Sequence, residues 1–177
     1  DAALQFAQAG ADCVAPSDMQ DGRVAAIRTA LDQTGLERQA IMSYAAKFNS
    51  AFYGPFRLAA ESAPGRDLPL RDRASYQIDP ADALLCAERD AAEGADILMV
   101  KPGLPYLDVL AHLSARIPKP WAVYQTSGEQ AGIDLLAEHG FTDPVRAQLE
   151  SWTAFSRAGA SMIISYAARR ARRYLAP

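Results

Sequence analysis

The chain has 177 residues, of which 50% are hydrophobic and 22% charged, and its formal net charge at pH 7 is -3. This size and composition are typical of a single globular domain. The weakly acidic balance excludes an electrostatic footprint for nucleic acid, and the apolar stretches are too short to predict a membrane span. A basic run over residues 169–173 is interpreted as a solvated helix face or a subunit contact.

The cysteines and histidines predict no disulfide framework and no metal site of their own. The sequence contains Cys13, Cys86, His112 and His139, and their spacing is unlike that of metal ligands. One cysteine falls in a strand-like segment and the other in a helical pattern, which favours a reducing compartment. We therefore expect a cytoplasmic protein.

Short apolar segments alternate with amphipathic helical segments, a pattern that predicts a parallel sheet built from βα units. Asp79-Pro80 and Asp143-Pro144 each combine a helix N-cap with a proline in the first turn. A long charged connection over residues 62–80 is typical of a lid over an active site. In chain order, the predicted elements are a helix at 2–9, a strand at 13–16, a helix at 23–31, a strand at 40–46, a helix at 81–93, strands at 97–101 and 121–126, a helix at 145–158 and a strand at 162–166.

Five parallel strands are compatible with an open doubly wound sheet or with the later part of a (β/α)8 TIM barrel. Polar residues follow successive predicted strands, on the face where barrel enzymes place their active sites. The glycine-rich phosphate turn of a dinucleotide-binding sheet is missing from the sequence. We therefore predict a barrel, in which about three further βα units precede Asp1.

Two lysines end predicted buried strands, Lys47 and Lys101. Burial and a second nearby ammonium both lower the pKa of a lysine, and the neutral amine attacks carbonyl groups to form Schiff bases. For one such lysine alone, a core strand that emerges into solvent is the favoured interpretation. Two lysines in the same setting favour the chemical interpretation.

Four longer motifs follow the predicted strands at residues 14–24 (VAPSDMQDGRV), 47–57 (KFNSAFYGPFR), 99–108 (MVKPGLPYLD) and 124–129 (YQTSGE). Together, and in this order, they closely resemble the porphobilinogen synthase family, also called 5-aminolevulinate dehydratase. The resemblance runs through nearly all of the chain. It implies a TIM-barrel lyase of heme and tetrapyrrole biosynthesis that condenses two 5-aminolevulinate molecules to porphobilinogen with loss of water.

The resemblance also implies roles for individual residues. Lys101 matches the lysine that holds the A-side substrate as a Schiff base, and Lys47 matches the P-side lysine. The remaining matches are substrate-binding: Arg57, Arg73 and Gln77 for the A-side carboxylate, and Ser127 and Tyr166 for the P-side carboxylate, with Ser17 and Asp18 near Lys47. For Ser17 and Asp18, a turn and cap before the helix at 23–31 is an equal alternative.

Metal dependence lies beyond these residues, because the family binds its catalytic zinc or magnesium upstream of them. Many bacterial members also bind an allosteric magnesium through a glutamate, and the matching position here is Cys86. A thiol is a poor ligand for a hard cation that prefers oxygen. We therefore predict that this chain lacks the allosteric magnesium site, although Glu88 and Glu93 remain alternative ligands.

Two other functions stay open at this point. One is another Schiff-base barrel aldolase, which needs one such lysine and does not account for the paired carboxylate-binding groups. The other is an inactive half-barrel, because five βα units leave two sheet edges exposed. We expect little or no turnover from the 177 residues alone. The resemblance implies that the full-length protein is a homo-oligomer, often an octamer, whereas the charge and the short apolar stretches predict no nucleic-acid or membrane partner.

Overall fold

The computed structural model describes residues 2–60 and 78–176, and within them five parallel strands form one sheet. The sheet order is β1-β2-β3-β4-β5, so each strand pairs with the next strand along the chain. This confirms the predicted parallel sheet, and the observed strands start at or beside the predicted positions. The strands are β1 (Cys13–Val14), β2 (Ala40–Lys47), β3 (Ile97–Lys101), β4 (Trp121–Tyr124) and β5 (Met162–Ile164).

The sequential strand order separates the two predicted folds. A doubly wound sheet reverses its strand order at a switch point, which is where its ligand binds. A barrel adds each strand beside the previous one and covers one face of the sheet with helices. The observed order therefore confirms a partial (β/α)8 barrel.

The helices alternate with the strands, as predicted. Asp79 and Asp143 cap the helical turns that follow them, accepting hydrogen bonds from Ala81 N at 2.9 Å and Arg146 N at 2.7 Å. In the described parts of the chain, no helix has both the length and the hydropathy required to cross a membrane. The helices are α1 (Ala2–Gln8), α2 (Arg23–Asp32), α3 (Gly54–Ala59), α4 (Ala83–Ala92), α5 (Leu107–Ser114), α6 (Ser127–Glu138), α7 (Pro144–Arg157) and α8 (Ala171–Tyr174), with short 3-10 turns at Ala51–Tyr53, Pro80–Asp82, Leu104–Tyr106 and Tyr166–Arg170.

The hydrophobic core lies between the sheet and the helices. Alternate residues of β3 and β4 enter it, namely Leu98, Val100, Trp121 and Val123, all almost fully buried. Because successive side chains of a strand point to opposite faces, Lys101 and Tyr124 lie on the other face of the sheet. The helix-covered face thus stabilises the fold, and the opposite face carries the candidate chemistry.

An irregularity in β2 changes which of its side chains face that second side. Ser43 pairs with Leu98, whereas Ala46 pairs with Val100, so three steps on β2 oppose two on β3. This arrangement is a β-bulge, and it shifts the alternation of side chains by one residue. As a result, Tyr44 and Lys47 share a face although their spacing in a regular strand would place them on opposite faces.

Candidate active site

The two predicted lysines lie side by side at the carboxyl ends of neighbouring strands. Lys47 ends β2, Lys101 ends β3, and the two residues are register partners. Neighbouring strands in a sheet are about 4.8 Å apart. Lys47 is buried, with 8% of its surface exposed, and Lys101 is half-buried. The structure therefore brings both amines to one small region, as the sequence predicted.

Aromatic rings surround the ammonium of Lys101. Its Nζ lies 3.8 Å from the ring centroid of Tyr124, 5.4 Å from that of Tyr44 and 5.5 Å from that of Tyr53. Ring faces carry negative electrostatic potential and attract a cation at such distances. The same rings supply apolar surface that limits contact with water. The amine of Lys101 therefore lies in an environment that is both aromatic and partly dehydrated.

The hydroxyl groups of these tyrosines resist ionisation. Burial, followed by the neighbouring Tyr166 hydroxyl, raises the pKa of Tyr124 to about 12. Burial also raises the pKa of Tyr44 and the pKa of Tyr53. The aromatic residues around Lys101 therefore remain neutral hydrogen-bonding groups near neutral pH, rather than phenolates that would pair with the ammonium. Tyr166, predicted as a substrate ligand, reaches this region as the neighbour of Tyr124.

Lys47 is held differently, by the loop that follows β1. Its Nζ donates a hydrogen bond of 2.6 Å to the main-chain carbonyl of Ser17. The carboxylate of Asp18 pairs with Arg23 at 2.6 Å, and both side chains are nearly half exposed. Ser17 thus contributes to the candidate site through its backbone, while the side chain of Asp18 is directed to α2.

Arg57 reaches the Lys101 side of the site through Tyr53. Its guanidinium carbon lies 5.2 Å from the ring centroid of Tyr53, and its Nη2 is buried without a hydrogen-bond partner among the described residues. The Tyr53 hydroxyl donates to Phe48 O at 2.9 Å and lies 3.4 Å from Lys101 O. A buried guanidinium nitrogen that lacks a partner is suited to an anionic ligand.

Ser127 begins helix α6 beside α3. Its hydroxyl oxygen accepts a hydrogen bond of 3.1 Å from Phe56 N. The adjacent Gly128 lies so close to Phe52 that an added Cβ would come 2.5 Å from the Phe52 carbonyl oxygen. A larger residue at position 128 would therefore push α6 away from the 3-10 turn Ala51–Tyr53 that precedes α3. The Ser127 proton remains available to donate to a ligand.

The remaining predicted ligands, Arg73 and Gln77, lie outside the described residues. The sequence interpretation also missed several residues near the lysines: Tyr44, Tyr53 and Tyr124 around Lys101, and the buried Glu129. Tyr53 and Tyr124 occur within the motifs at 47–57 and 124–129, but the sequence does not indicate that their rings face Lys101. Glu129 carried a detectable signal, because Thr126-x-x-Glu129 has the spacing of a helix capping box.

The surroundings of Cys86 do not fit a magnesium ion. Cys86 is buried in α4, and desolvation raises the pKa of its thiol, which therefore stays protonated and soft. Glu93, considered as an alternative ligand, instead caps α2 by accepting from Gly22 N at 3.2 Å and Ala25 N at 3.1 Å. Glu93 is therefore a partly buried capping residue. Among the described residues, no three His, Cys, Asp or Glu side chains form a metal-binding group.

Comparisons with known proteins agree over most of the chain. The family model described as delta-aminolevulinic acid dehydratase matches residues 1–174. The chain is 50% identical over 182 residues to the chloroplastic delta-aminolevulinic acid dehydratase of Chlamydomonas reinhardtii, covering 98% of this chain and 46% of that protein. It is 53% identical over 168 residues to that of Methanothermobacter thermautotrophicus, covering 93% and 50%.

A solved structure of similar fold is delta-aminolevulinic acid dehydratase (porphobilinogen synthase) from Toxoplasma gondii, in complex with the reaction product porphobilinogen. It matches with a TM-score of 0.91 and 46% sequence identity, covering 97% of this chain and 49% of that chain. The chain thus spans about half the length of the relatives it matches.

Proposed function

Because this chain belongs to the delta-aminolevulinic acid dehydratase family, we propose that it forms the lysine-bearing part of an enzyme that condenses two 5-aminolevulinate molecules to porphobilinogen with loss of water. The observation that carries the proposal is the pairing of Lys47 with Lys101 at the ends of adjacent parallel strands. The substrate has a ketone, and an amine adds to a ketone to form an imine with release of water. Two adjacent amines allow both substrates to be bound in this way.

The chemistry explains why two lysines are useful. A protonated imine withdraws electrons, so a C–H bond beside it becomes acidic and loses its proton to give an enamine. The nucleophilic carbon of the enamine then forms a C–C bond to the imine carbon of the second substrate. Tethering both partners makes this step intramolecular, which lowers its entropic cost. We assign Lys101 to the A-side substrate and Lys47 to the P-side substrate.

Each substrate also carries a carboxylate, which must be bound for the carbons to align. We propose that Arg57 binds the A-side carboxylate together with Arg73 and Gln77. The buried, unpartnered Nη2 of Arg57 supports this role. Ser127 and Tyr166 donate hydroxyl protons to the P-side carboxylate. Ser17 and Asp18 belong to the P side as well, where Ser17 acts through its carbonyl contact with Lys47.

We propose that the described sheet is the C-terminal five-eighths of one TIM-barrel domain. Both outer strands adjoin grooves lined mainly by apolar side chains, which supports further barrel elements packing there. The groove along α1 and β1 has a volume of about 860 Å³ and includes Phe6 and Val14. The groove beside β5 has a volume of about 420 Å³ and includes Trp152 and Ile163. Turnover then requires the full-length protein.

The compartment, the assembly and the metal complete the proposal. Cys13 and Cys86 are both free thiols, which supports a reducing, cytoplasmic environment. The family resemblance supports a homo-oligomer, which light scattering of the full-length protein would test. The poor fit of Cys86 to a hard cation supports the absence of an allosteric magnesium site. Adding magnesium to the chelated enzyme should leave its activity unchanged, and a clear rise would contradict this.

The central test is borohydride trapping of 5-aminolevulinate on the full-length protein, with peptide mass spectrometry to locate the adducts. We expect adducts at Lys101 and Lys47, and loss of each adduct in the corresponding Lys→Ala variant. Lys119→Ala is the matched control, because Lys119 lies before β4 at the opposite end of the sheet and donates to Ala95 O at 2.8 Å. An unmodified Lys101 and Lys47 in the wild-type protein would overturn the proposed function.

A further inference from the structure

Glu129 is a buried acidic residue to which the proposed chemistry assigns no role. Only 4% of its surface is exposed. Its carboxylate accepts hydrogen bonds from Thr126 N at 2.6 Å, Thr126 Oγ1 at 2.7 Å, Leu104 N at 2.6 Å and Gly103 N at 3.3 Å. A buried carboxylate is stable when several donors face it, and hydrogen bonds to a charged acceptor are stronger than neutral ones.

These donors come from two separate parts of the chain. Gly103 and Leu104 begin the turn that follows Lys101, whereas Thr126 immediately precedes Ser127 and helix α6. The contact is tight on both sides: a Cβ at position 103 would come 3.2 Å from Glu129 Oε1 and 2.6 Å from the Phe155 ring. The Glu129 carboxylate therefore fixes the turn after Lys101 against the start of α6, the helix that bears Ser127.

We propose that Glu129 is a positioning residue that sets the separation between the substrate bound at Lys101 and the carboxylate-binding hydroxyl of Ser127. This inference rests on the proposed function, in which the two substrates are held at these two places. Lys101 itself is fixed by the pairing of β3 with β2 and β4, so imine formation does not require Glu129. Formation of the bond between the two bound substrates does require Glu129, because that step depends on the relative position of the substrates.

The substitution Glu129→Gln tests the role of the carboxylate. It keeps the size of the side chain but replaces one acceptor oxygen with an NH₂ donor, which then faces backbone N–H donors. Either the turn after Lys101 or the start of α6 must move away. A displacement of about 1 Å between reacting groups lowers the rate roughly 100-fold, so we expect turnover to fall about 10- to 100-fold.

The experiment measures two quantities on the full-length enzyme: turnover at saturating 5-aminolevulinate, and the borohydride-trapped fraction at each lysine. We expect Glu129→Gln to lower turnover per trapped site while trapping at Lys101 and Lys47 stays within about twofold of wild type. A loss of stability alone would lower both quantities together. Glu138→Gln is the matched control, because it makes the same change at the exposed end of the same helix.

Thr126→Val extends the test to a milder change, because it removes the hydroxyl donor and leaves the carboxylate in place. We expect turnover per trapped site to fall roughly three- to tenfold. Wild-type turnover per trapped site in both variants would overturn the inference. So would failure of both variants to fold, which would make Glu129 a folding residue. Absence of trapping in the wild-type enzyme would instead overturn the proposed function itself.

Discussion

The surroundings of Lys101 and Lys47 differ although the two residues are register partners on adjacent strands. Lys101 lies in the middle of the sheet, where rings from β2, β4 and the turn before α3 approach its Nζ. Lys47 contacts the carbonyl of Ser17, in an exposed loop that follows the two-residue edge strand β1. The first environment is aromatic and central, and the second is polar and at the edge.

The difference indicates how one fold can give two identical side chains distinct tasks. Aromatic faces surround an amine with apolar surface and attract its charged form only moderately. A carbonyl oxygen accepts a hydrogen bond directly and fixes the direction of the amine. We therefore expect the Lys101 region to tolerate changes in the edge loop, and the Lys47 region to tolerate changes at Tyr53 and Tyr124, which approach Lys101. The variants below test this separation, from the largest expected effect to the smallest.

Removing either amine should have the largest effect. We expect Lys101→Ala and Lys47→Ala each to lower turnover roughly 10³-fold or more, because the imine can no longer form. Each variant should still trap substrate at the remaining lysine. Trapping and steady-state porphobilinogen formation would be measured on the same samples. Loss of both adducts from a single substitution would show that the two regions are coupled.

Phe48→Ala should damage both regions together. Phe48 follows Lys47, its N donates to Lys101 O at 2.9 Å, and its ring stacks on Tyr106 with centroids 4.1 Å apart. The side chain is only 1% exposed. Truncation leaves a cavity, and we expect a loss of about 3–5 kcal/mol in the free energy of unfolding, measured by urea titration. A loss below about 1 kcal/mol would mean that the core relaxes around the missing ring.

Tyr124→Leu should affect Lys101 selectively. It removes the Tyr124 ring, whose centroid lies 3.8 Å from Lys101 Nζ, whereas Lys47 Nζ lies 5.8 Å from the ring of Tyr44. We expect trapping at Lys101 to fall about two- to tenfold at low substrate, with trapping at Lys47 unchanged. Tyr124→Phe keeps the ring and is the control. Equal losses at both lysines would contradict the separation.

The raised pKa of Tyr124 predicts a pH effect on stability that Tyr124→Phe would reveal. Because the pKa of Tyr124 is raised to about 12 in the folded protein, the neutral hydroxyl contributes stability that is fully present below pH 10. That stability is lost as the pH rises toward 12, since the unfolded chain ionises first. We expect Tyr124→Phe to lose less stability than wild type between these pH values, measured by urea titration. An identical alkaline loss in both proteins would contradict the prediction.

Asp18→Asn should have the smallest effect. The Asp18–Arg23 pair is short, but its side chains are 43% and 47% exposed, and exposed ion pairs contribute little. We expect the free energy of unfolding to change by less than about 1 kcal/mol. Arg28, whose guanidinium donates to Gln39 O at 2.8 Å and Leu36 O at 3.0 Å, offers a contrasting variant. Arg28→Met should cost more, because it removes two hydrogen bonds from a partly buried guanidinium to main-chain carbonyls.

Much of the fold was accessible from the sequence because the signals are local. Apolar runs marked the strands, and Asp-Pro pairs marked the starts of two helical segments. The ends of elements were less well predicted: the helix expected at 81–93 begins as the 3-10 turn Pro80–Asp82, and the strand expected at 121–126 ends at Tyr124. Terminal residues depend on caps and neighbouring chains, which a short sequence window does not contain.

The candidate site divides in the same way. An apolar run that ends in lysine sufficed to single out Lys47 and Lys101. Burying an ammonium group removes it from water, which costs free energy, so a lysine at such a position suggests a function. The bulge that brings Lys47 onto the face of Tyr44 and Lys101 arises from pairing with β3, and regular alternation from Tyr44 would have placed Lys47 on the opposite face.

The sequence by itself therefore determined the order of the five strands, four of the helices, the two lysines and the family motifs. Only the tertiary structure decided that the Ser17 carbonyl accepts a hydrogen bond from Lys47, that Asp18 pairs with Arg23 and that Glu129 joins residues more than 20 positions away. The physical reason is the distance along the chain over which each interaction acts. Strand and cap preferences act between near neighbours, whereas hydrogen-bond partners across the sheet are set by register and packing.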